Sequence, residues 1–246
     1  MKPKDAHVFA LFIEENGYRV EQNSSVLQII DPRIIMRIVT ILRLRLTESI
    51  ILFTHGIVYH CTIAVVHKKQ IECQINNQIK INPILPSLDI VVPILERDAL
   101  EEVVYLATVH GVQKIHLVTT QKSRKVLTEK DYERLGKIAI AAAEQSKQYS
   151  LPTIVPLYAL EHFIEERMAE YASSKKLWCD VSGEHLLKHK ELLRSQNGYL
   201  AIWGPEGDFT ISEKEMLYTF FTPVKLTSTV LRARDAAALI MGVLRL

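Results

Sequence analysis

The chain has 246 residues and a formal net charge of +2, from 30 Lys and Arg against 28 Asp and Glu. That length holds one large domain or two modest ones, and so small a charge excess excludes a histone-like polycation. A hydrophobic content of 48% with 24% charged residues excludes wholesale disorder, and nine glycines exclude a protein built on several Gly-rich phosphate loops. The text is β-like up to about residue 80. A helix is predicted over 33–42, with apolar Ile34, Ile35, Ile38, Ile41 and Leu42. Strands are predicted over 49–54 and 57–66, joined by a His55-Gly56 hairpin turn. Residues 70–81 alternate through Ile71, Cys73, Ile75, Ile79 and Ile81, with Asn76-Asn77 as a candidate turn. A small β-barrel with one helix fits this half.

After Pro83 and Pro86 the pattern becomes strand–helix alternation. A buried strand over 89–95 leads to a helix over 98–110, capped by Asp98 with Glu101 at capping-box spacing and ended by Gly111. Next come a strand over 114–119, a helix over 128–147, a strand over 153–157 and a helix over 159–173. A strand over 177–181 precedes a helical piece around 185–193. A strand over 199–203 leads to a helix over 212–221, with Ser212 and Glu215 at capping-box spacing. A short strand over 224–226 leads to a final helix over 234–246, with Ala237, Ile240, Met241 and Leu244 on one face. The alternation predicts an α/β domain with a mostly parallel sheet. The expected domains are therefore 1–80 and 81–246.

No apolar run is long enough to span a bilayer, so no membrane role is expected. Lys2, Lys4 and Asp5 disfavour a signal peptide, and Cys61, Cys73 and Cys179 give no disulfide framework. A cytoplasmic setting is expected. There is no G-x-G-x-x-G, no Walker loop and no G-x-S-x-G elbow. His185 and His189 are four apart, but Leu186 stands where a zincin glutamate belongs, so no metal is expected.

Three features carry chemistry. The run from Ile202 through Gly204, Pro205, Glu206 and Gly207 to Phe209 follows an apolar strand and precedes a capped helix. Ligands bind at such strand ends in parallel sheets. The glycines permit close backbone approach, which suits recognition of adenine or ribose through the main chain; a plain strand–helix turn explains the run equally well. The run from Leu226 through Thr229, Val230 and Leu231 to Arg232 is polar, then apolar, then basic. It reads either as a pocket wall ending in a substrate-facing arginine or as a loop whose Arg232 pairs with Asp235. Finally, Arg33, Arg37, Arg43 and Arg45, and separately Lys122, Arg124 and Lys125, form basic clusters that match phosphate or form solvated faces. Residues 1–80 hold 10 basic and 7 acidic side chains, against 20 and 21 in 81–246. The small excess therefore sits in the first domain.

In order and spacing, these segments resemble the RsmE family, the small-subunit ribosomal RNA methyltransferases of the SPOUT superfamily. Gly204-Pro205-Glu206-Gly207-Asp208-Phe209-Thr210 with Glu213 resembles the family's GPEGGF(S/T)xxE. Ala142-Ala143-Glu144-Gln145-Ser146 with Pro152 and Ile154 resembles AAEQSxR…PxI, and 226–236 resembles LGxRILRxETA. Ala107-Thr108 with Gly111-Val112 resembles KATELGV, and 41–45 resembles VLRL(R/K). The resemblance implies a PUA-like RNA-binding β-barrel over 1–80 and a SPOUT domain with a C-terminal trefoil knot over 81–246. It implies S-adenosylmethionine held by Ile202, Gly204, Pro205, Glu206, Gly207, Leu226, Val230 and Leu231. It also implies a homodimer, and methylation of uridine N3 in the 16S rRNA of the small ribosomal subunit. Arg33, Arg37, Arg43, Arg45, Lys122, Arg124 and Lys125 are the candidate RNA contacts.

Uridine N3 carries a proton and ionises weakly, so its anion needs stabilisation; Arg232 is the candidate catalytic residue. Asp208 replaces the second Gly of GPEGG, Gln148 replaces an Arg, Thr229 replaces an Arg and Arg234 replaces a Glu. Leu106, Val109 and His110 depart from KATEL, and Arg37 replaces a His. These departures fall on polar side chains more than on the backbone-made pocket. They keep two other functions open: a non-catalytic RNA-binding or ribosome-assembly protein, and a methyltransferase of the same fold with a different RNA target.

Overall fold

A computed structural model describes residues 8–20, 24–123, 126–189, 191 and 193–246. Lys2, Lys4 and Asp5 therefore lie outside the described residues. The chain divides into two compact units, Met1–Asn82 with Glu144–Ser150 and Pro83–Ala143 with Leu151–Leu246.

In the first unit β1 (Phe9–Phe12), β2 (Tyr18–Val20) and β3 (Val26–Ile29) lead to α1 (Pro32–Met36), and β4 (Ser49–Phe53), β5 (Ile57–Val66) and β6 (Ile71–Lys80) follow. Asp31 caps α1 by accepting the Arg33 N–H at 2.8 Å, and Pro32 supplies the preset φ of a first helical position. The helix continues as one wide π turn over Arg37–Ile41, closed by the Leu42 N–H on the Arg37 carbonyl at 2.8 Å. The strands form one sheet in the order β1-β4-β5-β6-β3-β2. Thr54 closes the expected β4–β5 hairpin, its hydroxyl accepting the N–H groups of Gly56 and Ile57 at 3.2 and 3.1 Å.

The Asn76-Asn77 turn is not formed. β6 runs through unbroken, with Asn77 opposite His60 and Ile75 opposite Cys61, so Asn76 is the extra residue of a bulge. Its amide donates to the Thr62 hydroxyl across the ladder at 2.8 Å. Ile38 fills the core among Leu27, Ile29, Ile50, Leu52 and Ile63.

In the second unit β7 (Leu88–Pro93), α2 (Arg97–Val109), β8 (Lys114–Thr119), α3 (Glu129–Ser146), β9 (Thr153–Ala159) and α4 (Leu160–Arg167) alternate. Then come β10 (Lys175–His185), β11 (Tyr199–Trp203), α5 (Ile211–Phe220), β12 (Thr222–Lys225) and α6 (Ala233–Val243). All five ladders are parallel, in the order β12-β10-β11-β7-β8-β9. Both faces of this sheet are buried, as a parallel sheet requires. Leu88, Ile90 and Val92 join one core cluster with α2 and α6, while Val91 joins the other with α4 and α5. Period-2 alternation sets this division.

Local signals hold at the end of α2. Gly111 takes φ 63°, its N–H bonds the Thr108 carbonyl at 3.0 Å, and Val112 bonds Ala107 at 2.9 Å, a Schellman ending. They fail at three places. α2 has Glu96 at its N-cap, without a side-chain cap, and Asp98 lies in the first turn, where it favours the helix dipole instead. The α5 capping box is Thr210 with Glu213, not Ser212 with Glu215. Buried Glu213 also accepts the Gln121 N–H at 2.8 Å, and that tertiary partner selects between two equal spacings. The helix expected around 185–193 is, among its described residues, only the single turn Leu186–Lys188. β10 extends to His185 because Glu184 and His185 pair with Val224 and Lys225 of β12.

Candidate functional site

The sheet's order reverses between β11 and β7, and chain crossovers leave a crevice at such a point. A cavity of about 520 Å³ opens beside it, beyond the ends of β11 and β12 and against the β10 bulge. Trp203, Gly204, Pro205, Glu206 and Asp208 form one wall, and Leu226, Thr227, Thr229, Val230, Leu231 and Arg232 form another. Ala233 and Ala236 of α6 supply its floor, and Cys179, Asp180 and Val181 of β10 complete it. The volume lies within the range of small-molecule sites, roughly 300–1,000 Å³.

The sequence candidates divide here. Gly204, Pro205, Glu206, Leu226, Val230, Leu231 and Arg232 meet at the cavity. Ile202 does not: it is fully buried in the α4–α5 core, because Trp203 takes the opposite side of the strand. Gly207 lines a second hollow of about 220 Å³, with Leu95, Glu96, Thr120 and Lys122, and Pro205 and Glu206 line both. The loop after β11 is thus a wall between two hollows.

Its left-handed residue is an aspartate. Neither glycine takes a positive φ; Asp208 does, at 56°. A side chain tolerates this region poorly, at a cost of roughly 1–2 kcal/mol, and Asp is among the residues that accept it best. The Asp208 carboxylate accepts the Phe209 N–H at 2.8 Å and the Lys214 ammonium at 2.6 Å. Lys122 holds the loop's other side, donating to the carbonyls of Gly207 and Asp208 at 2.6 and 3.1 Å.

Asp235 does not take Arg232. It sits 3.7 Å from Arg234, which bonds Glu102 at 2.9 Å. Arg232 caps α6 with its backbone and is exposed at the cavity rim. Burial pushes the Cys179 thiol up to about 12, so it is a neutral wall group.

The RNA methyltransferase domain family matches residues 82–245, more than half of the chain. The chain belongs to the RNA methyltransferase domain family. Over 239 residues it is 27% identical to ribosomal RNA small subunit methyltransferase E of Rickettsia conorii, covering 93% of this chain and 92% of that one. It is similar in fold to a ribosomal RNA small subunit methyltransferase E of Neisseria gonorrhoeae solved with S-adenosyl methionine, at 22% identity and a TM-score of 0.79 over 96% of each chain. A Legionella pneumophila methyltransferase solved with SAM gives 21% and 0.78 over 98% of each. The RsmE resemblance therefore runs through both units.

In this RNA methyltransferase the basic candidates are not equivalent. Arg33 forks onto its own cap Asp31, at 3.2 and 2.8 Å. Arg37 forks onto Glu144 at 2.9 and 2.6 Å, within the first unit, and Glu144 also accepts the Phe12 N–H at 3.0 Å. These charges are neutralised at home. Arg43 and Arg45 remain exposed, Lys122 serves the loop, and Arg124 and Lys125 lie outside the described residues.

The Glu144 side chain is only 11% exposed. Arg37→Ala strands that carboxylate, and destabilisation by about 2 kcal/mol is expected after allowing for the partial exposure of Arg37. Urea unfolding measures it.

Asp180 and Val181 belong to none of the motifs that carry chemistry in the sequence, and Trp203 lies between two candidates. Asp180-Val181-Ser182-Gly183 after an apolar strand is the same kind of signal as Gly204 to Gly207, but lies inside β10 as a bulge. A Cβ on Gly183 falls 2.6 Å from the Pro223 carbonyl and the Val224 nitrogen, so the bulge packs against β12 only as glycine.

Proposed function

We propose that the chain uses S-adenosylmethionine to methylate N3 of a uridine in the 16S rRNA of the small ribosomal subunit, in the cytoplasm, as a homodimer. The carrying observation is the cavity walled by the loops after β11 and β12, with Arg232 at its rim and in no ion pair among the described residues. The first unit is read as the PUA-like barrel that meets RNA, with the exposed Arg43 and Arg45 as its candidate contacts. The path through β10, β11 and β12 is read as the trefoil knot.

The cavity fits the cofactor on its own terms. A Cβ on Gly204 would meet nothing in the protein closer than 3.4 Å, so the fold leaves space beside this cavity-lining glycine. Apolar surface dominates the lining, to which Pro205, Val230 and Leu231 contribute. Bound there, S-adenosylmethionine supplies an electrophilic methyl group. The protein's tasks are to hold the acceptor in line and to favour loss of the N3 proton. Arg232 presents fixed positive charge where the uridine anion spreads over O2 and O4.

Val230 is 83% exposed and Ile211 80%, apolar surface beside the site that a second copy would cover. Gly204→Ala is expected to weaken S-adenosylmethionine binding about tenfold, by filling that space, with the melting temperature unchanged. Calorimetry paired with thermal melting separates the two effects. Calorimetry of the unaltered protein tests the cofactor reading: micromolar binding supports it, and no binding at millimolar cofactor overturns it.

A further inference from the structure

Lys214, in the first turns of α5, lies 2.6 Å from the Asp208 carboxylate and 3.7 Å from that of Asp180. The two carboxylates belong to different walls of the cavity, the β10 bulge and the loop after β11, and both line it. Each is fixed locally. Asp180 accepts the Ser182 N–H and hydroxyl at 2.8 and 2.5 Å, and its side chain is only 10% exposed. Asp208 accepts the Phe209 N–H while holding a left-handed backbone that side chains rarely adopt. Lys214 itself is 31% exposed, and the neighbouring Asp208 raises its affinity for its proton.

A strand–helix turn needs neither the strained aspartate nor the bridge. We infer that Lys214 is a positioning residue: its ammonium straps the two walls together and sets how long the methyl donor stays between them. The consequence for the donor rests on the cofactor reading above, whereas the strap itself does not. Without Lys214, the two fixed carboxylates lose the ammonium they share, while Lys122 still holds the loop after β11 from its other side. The geometry sorts with retention rather than chemistry, because Lys214 is not itself part of the cavity wall.

The test uses the full chain with Lys214→Met, Lys214→Arg and Asp208→Gly. Asp208→Gly removes the same link while relieving the backbone, so it remains informative if Lys214→Met folds poorly. In the ligand-free protein, hydrogen exchange at the Ser182 and Phe209 amides is expected to speed up in Lys214→Met and to return towards the original rate in Lys214→Arg. Trp203 lines the cavity, so its fluorescence follows S-adenosylmethionine release in stopped flow. Release is expected to quicken about fivefold in Lys214→Met and Asp208→Gly, raising the cofactor KM with kcat nearly constant. Unchanged exchange at both amides in Lys214→Met, with unchanged release in both variants, overturns the inference. Faster exchange in a protein that does not bind S-adenosylmethionine at all upholds the strap and removes the cofactor reading alone.

Discussion

Arg232→Ala is expected to lower kcat for methyl transfer about 100-fold, with S-adenosylmethionine affinity changed less than about twofold. Three observations set that split. Arg232 is the N-cap of α6, so its backbone carbonyl holds the N–H groups of Asp235 and Ala236 at 3.0 Å and fixes where the side chain starts. Its guanidinium stands exposed at the cavity rim. The acid nearest in sequence is engaged elsewhere, beside Arg234, which in turn bonds Glu102. Arg232 has no ion pair among the described residues, which leaves its charge for an anion that forms only as the N3 proton leaves. Arg232→Lys keeps a positive charge there but loses the planar, multi-donor guanidinium, so only partial recovery is expected. Steady-state kinetics with calorimetry checks the split. Equal losses in kcat and cofactor affinity would move Arg232 into the cofactor site.

Arg245→Ala is expected to cost about 3 kcal/mol, read as a drop of roughly 6–12 °C in melting temperature. Its guanidinium is half-buried and donates to three carbonyls: His110 at 2.8 Å, Pro86 at 2.6 Å and Gly111 at 2.6 Å. Two of these end α2, where the helix dipole is negative. Burial lowers the arginine's affinity for its proton, yet the group stays charged, and the carbonyls rather than a carboxylate satisfy it. Removing it leaves three carbonyls short of a charged donor and frees the end of α6. The start of α6 carries Arg232, and Ala233 and Ala236 floor the cavity, so the cofactor KM should rise as well. Arg245→Lys recovers part of the loss at most, since three diverging acceptors match a fork and not a point charge. Urea denaturation measures the effect, and a loss below about 1 kcal/mol would contradict the anchoring role.

The fold was legible where short-range physics governs it. Apolar runs and their caps mark β7, β8 and β11, and the turn at Gly111 follows from a residue that enters the left-handed region freely. What was not legible depends on partners far along the chain. Arg37 looked like an RNA contact until its fork closed on Glu144, 107 residues away. The α5 cap was ambiguous between two boxes until Glu213 met Gln121, 92 residues back. The candidate site was read from the loops after β11 and β12, and the cavity uses both. Missing was its third wall, because a bulge inside β10 looks like the end of a strand. Ile202 shows the remaining difficulty. A motif identifies a strand end, but only the pleat says which of two adjacent side chains faces the ligand side.

The central claim is methyl transfer to a uridine of the small-subunit RNA. Its most direct test incubates the purified chain with isotopically labelled S-adenosylmethionine and 16S rRNA-containing subunits from cells lacking the gene, followed by nucleoside mass spectrometry. The predicted result is label in 3-methyluridine at a single 16S position, absent with Arg232→Ala at equal times. Cofactor binding without label in any nucleoside of that RNA would contradict the claim and leave an RNA-binding protein on a methyltransferase fold, and label in another base or RNA would reassign the target.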